Sequence, residues 1–381
     1  MIMTIFVLFC FLIIYNHFGY PLGIWLVSRL IKNNYIEYAD GFIPTVSFII
    51  AAYNEELVIE NKIINTLNID YPRDKLEIIV VSDGSNDETE SIVKRFSGKS
   101  VISLHSQERR GKSAALNRAV ENSSGEIIIF SDANNDFNKD SIKKLIRNFT
   151  ADSIGAVSGA KRIYSNNKRQ SSAGDGMYWK YESFIKLCES KIGSITGLDG
   201  EIMAIRRELF DPIDQSYIND DAAITFNVIS KGKRVIYDVD AQAYEEASLS
   251  ISDDINVKIR MTAGGYQSIF SGDLLKCLNN PLFIFEFISH KVLRWLTPYL
   301  MLSIFVLSLL LHDNNYVLLL IIFQIIFYAL AVAGWLIKDK SDIKSYLYIP
   351  MYFCVMNTAM LIGSIRYFTS NSSVNWVKAK R

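Results

Sequence analysis

Glu126-Ile127-Ile128-Ile129-Phe130-Ser131-Asp132-Ala133-Asn134-Asn135-Asp136 is the stretch whose reading decides the fold. Its four apolar residues, Ile127 to Phe130, suit a strand buried on both faces of a parallel sheet. The run stops at Ser131-Asp132-Ala133-Asn134, polar groups that the middle of a buried strand does not tolerate. In open α/β sheets ligands sit beyond the carboxyl ends of the strands, which is where Asp132 falls. Asp132 and Asn134, two positions apart, share one side of an extended chain and are able to share a hard cation. The same residues also suit an Asx-type turn that bonds only its own backbone.

Upstream the pattern repeats. Residues 45–52 (T-V-S-F-I-I-A-A) read as a strand, with Asn54 as N-cap of a helix reaching about Asn68. Residues 76–81 (L-E-I-I-V-V) form a second strand, ending at Ser82-Asp83-Gly84-Ser85. A helix over 88–96, a strand over 101–104 and a helix over 114–121 lead back to the opening strand. Strands alternating with helices over short connections predict right-handed βαβ units and a mostly parallel α/β sheet. Three apolar strands then end in polar clusters, Tyr53-Asn54-Glu55, Ser82–Ser85 and Ser131–Asn134, which together suggest a nucleotide pocket. Gly111-Lys112-Ser113 is not a phosphate loop, because the glycine required five residues earlier is Ser106. Lys112 with Arg109 or Arg110 can still neutralise a pyrophosphate, or serve as a solvated basic loop.

The 381 residues are 50% apolar, unevenly spread. Residues 2–27 contain no Asp, Glu, Lys or Arg, and at about 1.5 Å per helical residue they can cross a bilayer. Three further apolar runs follow at 295–311, 316–337 and 346–365; the last holds Pro350 and Asn357 and suits either a span or an interfacial helix. The expected organisation is an N-terminal span (1–30), a soluble α/β domain (44–275), an interfacial amphipathic segment (276–294) and a C-terminal membrane region (295–381). Arg29, Lys32, Lys338, Lys340 and Lys344 place the soluble domain on the cytoplasmic side of the membrane, whereas Lys378, Lys380 and Arg381 conflict with a fourth full crossing. Formal net charge is zero, which gives no basis for a nucleic-acid partner. The four scattered cysteines show neither metal spacing nor a disulfide framework and suit a reducing compartment.

The ordered motifs A-A-Y-N-E-E (51–56), V-S-D-G-S-N-D-E-T (81–89), R-G-K-S-A-A-L-N (110–117) and F-S-D-A-N (130–134) resemble the nucleotide half of family-2 glycosyltransferases. T-G-L-D-G-E (196–201), A-I-R-R-E-L-F (204–210), Asn219-Asp220-Asp221, A-Y-E-E-A (243–247), the helix at 258–267, the segment 18–22 and the terminal Trp376 and Arg381 resemble membrane-bound members. The resemblance implies a GT-A fold with membrane helices and an inverting transfer of sugar from a nucleotide-diphosphate donor to a glycan or lipid-linked acceptor, within polysaccharide or glycolipid synthesis at the membrane. It implies that Ala52, Tyr53, Asn54, Glu55, Asp83, Gly84, Arg110, Lys112, Ser131, Asp199, Arg206, Asp220, Lys258 and Arg260 bind substrate. By the same resemblance Asp132 and Asn134 hold a Mg or Mn ion, with Asn134 replacing the family's second carboxylate, and Asp221 is the general base.

An acceptor hydroxyl needs such a base at neutral pH, and Asp220 beside Asp221 is a like charge able to raise the pair's pKa. Asn219–Asp221 equally suits the N-terminal cap of a helix. Arg260 stands where processive members keep Q-x-x-R-W, but the pentad here is Val257-Lys258-Ile259-Arg260-Met261, which argues against polymer extrusion. Glu245 and Glu246 are further candidates for the metal or the acceptor. The spans contain few polar residues, which favours non-processive transfer to a polyprenyl-phosphate acceptor in contact with membrane lipid. The non-enzyme alternative is a degenerate nucleotide-binding membrane scaffold.

Overall fold

The computed structural model describes residues 1–31, 41–98, 100–164, 170–247, 250–338 and 344–369. Lys32, Lys340, Trp376, Lys378, Lys380 and Arg381 lie outside the described residues. Eight strands form one sheet: β1 (Val46–Ala52), β2 (Leu76–Asp83), β3 (Val101–Ser106), β4 (Ile127–Asp132), β5 (Asn135–Phe137), β6 (Ile154–Tyr164), β7 (Met203–Arg206) and β8 (Arg234–Glu246). Their order is β3-β2-β1-β4-β7-β6-β8-β5. The first four are mutually parallel, β7 runs antiparallel between β4 and β6, and β5 runs antiparallel to β8.

The chain leaves β1 toward β2 and β3, then returns to place β4 on the other side of β1. That reversal is a topological switch point, where open α/β sheets bind ligands. Both faces of β1 are covered: Phe48 and Ile50 enter one apolar cluster, Ile49 the other. All three are fully buried, each worth roughly 1.5–3 kcal/mol. The continuous apolar spelling of β1, β2 and β4 is therefore the spelling of strands buried on both sides.

The first helix is shorter than its sequence suggests. It spans Ile59–Leu67, and Asn54 is not its cap. Asn54 adopts φ +52, exchanges side-chain and backbone bonds with Asn86 at 2.8 and 2.9 Å, and donates its own N–H to Ser85 Oγ (3.1 Å). The residue ties the ends of β1 and β2 together instead, a use open to asparagine because its short amide tolerates the left-handed region.

Among the described residues, four helices are long and apolar enough to cross a membrane: Ile2–Leu30, Pro281–Leu310, Asn315–Leu336 and Ser345–Phe368. Within the segment expected to be interfacial (276–294), a helix starts at Pro281 and runs on to Leu310 through a wider turn at Ile288–Val292. The charges that made it look interfacial are buried against protein partners. His290 contacts Glu182 and Glu189, each at 2.7 Å, and Arg294 contacts Glu182 at 2.7 Å. The amphipathic helix lies earlier, at Ile251–Phe270, where a side chain on Gly264 would collide with Asn219 and one on Gly265 with Trp295. Those two glycines let the helix lie against both the sheet domain and the membrane helices.

Candidate active site

Asp132 ends β4 beside Ala51 of β1, and Asp220 and Asp221 open the helix Asp220–Ser230. The three carboxylates belong to one cavity of about 230 Å³ and surround one ammonium group. Lys112, the first residue of helix Lys112–Glu121, places Nζ 2.9 Å from Asp132 and 3.4 Å from Asp220. Burial opposes the charge of Lys112, but Asp132 and Asp220 outweigh it and hold the ammonium protonated far above its ordinary range. Asp221 Oδ1 accepts the Ala222 N–H at 2.8 Å. Burial, then the neighbouring Asp220 charge, push the Asp221 carboxyl up to about 7.

Asp83 lies next door. Its Oδ2 accepts the N–H groups of Arg110 (3.0 Å) and Gly111 (2.7 Å), which fixes the loop that begins the Lys112 helix. A smaller cavity there is lined by Ala52, Tyr53, Asp83, Arg109 and Lys112. Lys112 lines both cavities, so the two are adjoining compartments. The Arg109 guanidinium covers the Tyr53 ring at 3.7 Å, whereas Arg110 pairs with exposed Glu108 at 2.8 Å. Of the two arginines, Arg109 faces the cavity and Arg110 does not. Gly84 sits at φ +69, and a Cβ there would come within 2.8 Å of Arg109 N, so its role is to let that loop approach.

Other candidates divide into lining and scaffold. Glu55, Asn134, Asp199, Lys258 and Arg260 line the larger cavity. Asp199 is held by Lys186 at 2.5 Å, and Asn134 Nδ2 donates to buried Glu245 at 2.9 Å. Two expected contacts are corrected. Ser131 is buried and donates to Asn135 Oδ1 at 3.0 Å, so its hydroxyl braces the turn after β4. Arg206 pairs in register with Ile127 at the opposite end of β4, and its guanidinium donates to the carbonyls of Phe149, Ala151 and Ile154. Five residues of strand, roughly 16 Å, separate that position from Asp132.

Sequence reasoning missed Lys161, which pairs with Glu201 at 2.5 Å and with Glu245, and the trio Glu182, Lys186 and Glu189. A signal existed for each. Lys161 breaks the apolar run of β6, and Glu182, Lys186 and Glu189 recur at helical spacing on one face of Gln170–Ile192. Buried Lys62 was missed as well; it donates to Asn135 Oδ1 at 2.7 Å and to its carbonyl at 2.8 Å, holding the turn that carries Asp132.

The sequence profile of glycosyl transferase family 2 matches residues 47–213. That match takes in somewhat less than half of the chain. The chain is 26% identical over 257 residues to poly-beta-1,6-N-acetyl-D-glucosamine synthase of Staphylococcus aureus, covering 66% of this chain and 62% of that one. It is 31% identical over 225 residues to the probable glycosyltransferase YdaM of Bacillus subtilis, covering 54% and 51% respectively. The chain thus spans less than two thirds of either relative's length. A mannosyltransferase from Pyrobaculum calidifontis, solved in complex with GDP-Man and Mn2+, superposes with a TM-score of 0.73 over 97% of this chain and 99% of its own, at 23% identity. The fold is therefore GT-A with appended apolar helices.

Proposed function

We propose that the chain is an inverting, metal-dependent glycosyltransferase, moving sugar from a nucleotide-diphosphate donor to a glycan or lipid-linked acceptor at the cytoplasmic face of a membrane. The observation that carries this reading is the meeting of Asp132, Asp220 and Asp221 around Lys112, beside the Asp83 compartment. In it, the nucleoside packs in the slot of Ala52, Tyr53, Asp83 and Arg109, and the diphosphate extends toward Lys112. Asp221 takes the proton of the acceptor hydroxyl as that oxygen attacks the anomeric carbon. The nucleoside diphosphate leaves with the bonding electrons from the opposite side, which inverts the centre.

The donor set fits a hard cation: the carboxylates of Asp132 and Asp220 already converge on one positive charge, and Asn134 contributes an amide oxygen. Asp132 and Asn134 would hold Mg or Mn, which when bound supplies charge neutralisation for the leaving diphosphate. Lys112 then serves the phosphates or the carboxylates, as a compact charge on a flexible stem.

Purified full-length protein, incubated with a panel of nucleotide-sugars, divalent metal and membrane lipid acceptors, is expected to release nucleoside diphosphate from one donor. Release from none would instead favour a nucleotide-binding scaffold. Asp132→Ala is expected to abolish the metal-dependent part of nucleotide binding, and calorimetry showing unchanged affinity would remove Asp132 from the metal role.

A further inference from the structure

Lys62 stands on the helix Ile59–Leu67 and is only 1% exposed, yet among the described residues it pairs with no carboxylate. Its Nζ donates instead to the Asn135 carbonyl at 2.8 Å and to Asn135 Oδ1 at 2.7 Å. The same ammonium lies 4.3 Å from the centre of the Phe137 ring and 5.5 Å from that of Phe48. Burial pushes it down to about 7, and the charges of Asp136 and Asp132 oppose this only in part. An apolar side chain of similar length would fill the space with no charge to desolvate, so stability alone gives no reason for a lysine here.

What the lysine holds is the turn between β4 and β5. Asn135 Oδ1 also accepts Ser131 Oγ at 3.0 Å, and Asn135 Nδ2 donates to the Glu201 carbonyl at 3.1 Å. One helical turn after Lys62, Asn65 exchanges two bonds with the Phe137 backbone, at 2.9 and 3.1 Å. A single helix thus fastens β5 at its first and last residues, and Asp132 and Asn134 lie just before the first fastening point. Lys62 lines neither the larger cavity nor the Asp83 compartment, so it acts on the site only through this turn.

We infer that Lys62 is a positioning residue for the divalent cation, locking the turn from Asp132 to Asn135 so that the Asp132 carboxylate and the Asn134 amide oxygen are held ready as ligands. This rests on the metal-dependent reading above and deepens it. Asn134 is steadied from the other side, where its Nδ2 donates to Glu245 at 2.9 Å and so keeps its oxygen for another partner. Groups that fix a metal ligand from behind typically govern metal affinity over roughly 10–100-fold, without touching the metal.

The test uses full-length protein in phosphatidylcholine nanodiscs, with free Mn2+ counted by electron paramagnetic resonance in the presence of UDP and, separately, GDP. Lys62→Met is expected to weaken Mn2+ binding about tenfold while nucleotide affinity in EDTA, read by calorimetry, stays within about twofold of wild type. An equal loss of affinity in EDTA would mean that the lysine supports the whole site, which overturns the inference. Asn135→Ala removes the anchor from the other side and is expected to weaken Mn2+ binding in the same direction. The double variant should bind Mn2+ no more weakly than the weaker single one, because both changes break one contact; fully additive losses would detach Lys62 from the turn. Ile63→Val, a loss of packing in the same helix, should leave Mn2+ affinity unchanged, and a tenfold loss there would reduce Lys62 to general support. Unchanged Mn2+ affinity in folded Lys62→Met, or in Asn135→Ala where that variant does not fold, overturns this inference alone. Wild-type protein that binds nucleotide but no Mn2+ overturns the metal-dependent reading itself.

Discussion

The side of the cavity proposed to hold the nucleotide and the junction with the four apolar helices handle buried charge in opposite ways. On the nucleotide side, Asp83 and Asp132 each cap a strand and are held by one nearby loop, through two backbone N–H groups and one lysine. At the junction, Glu182 and Glu189 of one helix meet His290, Lys291 and Arg294 of another, about a hundred residues later. Tyr20 of the N-terminal helix closes the group, donating to Glu189 at 2.7 Å. Burial opposes the charge on Glu182, yet Lys291, His290 and Arg294 together hold its carboxyl well below the usual range. The first arrangement leaves carboxylates facing a cavity and available to ligands; the second uses its charges to fasten a domain to its membrane helices.

If that contrast holds, changes on the nucleotide side cost activity and changes at the junction cost stability. The largest effect is expected for Asp221→Asn, with turnover lowered about a thousandfold and nucleotide affinity kept. Unchanged turnover would take Asp221 out of the base role. The same variant gives a second reading. Because the folded carboxyl titrates near 7, above its ordinary value, it favours the folded state at low pH and that contribution is lost as pH rises through 7. Asp221→Asn is thus expected to melt no lower than wild type at about pH 8.

His290→Leu is expected to lose roughly 3–5 kcal/mol in denaturant unfolding, because it leaves two buried glutamates short of a partner. Donor affinity of the protein that remains folded should stay within about twofold, since no nucleotide contact is removed. A large loss of affinity with normal stability would erase the contrast. The pH profile sharpens it further. Transfer should rise about tenfold per pH unit below 7 and level off above, as Asp221 loses its proton; a flat profile from about pH 6 to 8 would contradict a base titrating there. The smallest effect belongs to Arg206→Met, expected to lose about 1–3 kcal/mol of stability with KM for the donor unchanged.

The site was legible to different depths. Asp83 and Asp132 could be read because each follows a run whose apolar spelling ends abruptly, and Lys112 because it stands in a basic loop that opens a helix. Asn54 was misplaced because its propensity suits a helix cap and a left-handed turn equally, and the bond to Asn86 that chose the turn spans 32 positions. Arg206 was misread because its motif gives residue order but not which end of an antiparallel strand faces the cavity. At residues 281–294 the sequence could not show the buried partners of His290 and Arg294, which lie about a hundred positions earlier.

By itself, the sequence determined the alternation of doubly buried strands with helices, the polar ends of β1, β2 and β4, and four stretches apolar enough to span a bilayer. These are local properties, written in periodicity and in where it breaks. Only the tertiary structure decided that Asp132 and Asp220 share one ammonium, that Arg109 rather than Arg110 covers Tyr53, and that seven residues line both the larger cavity and an apolar one beside it. Each of those depends on contacts between elements far apart in the chain, whose pairing is fixed by sheet order and close helix packing.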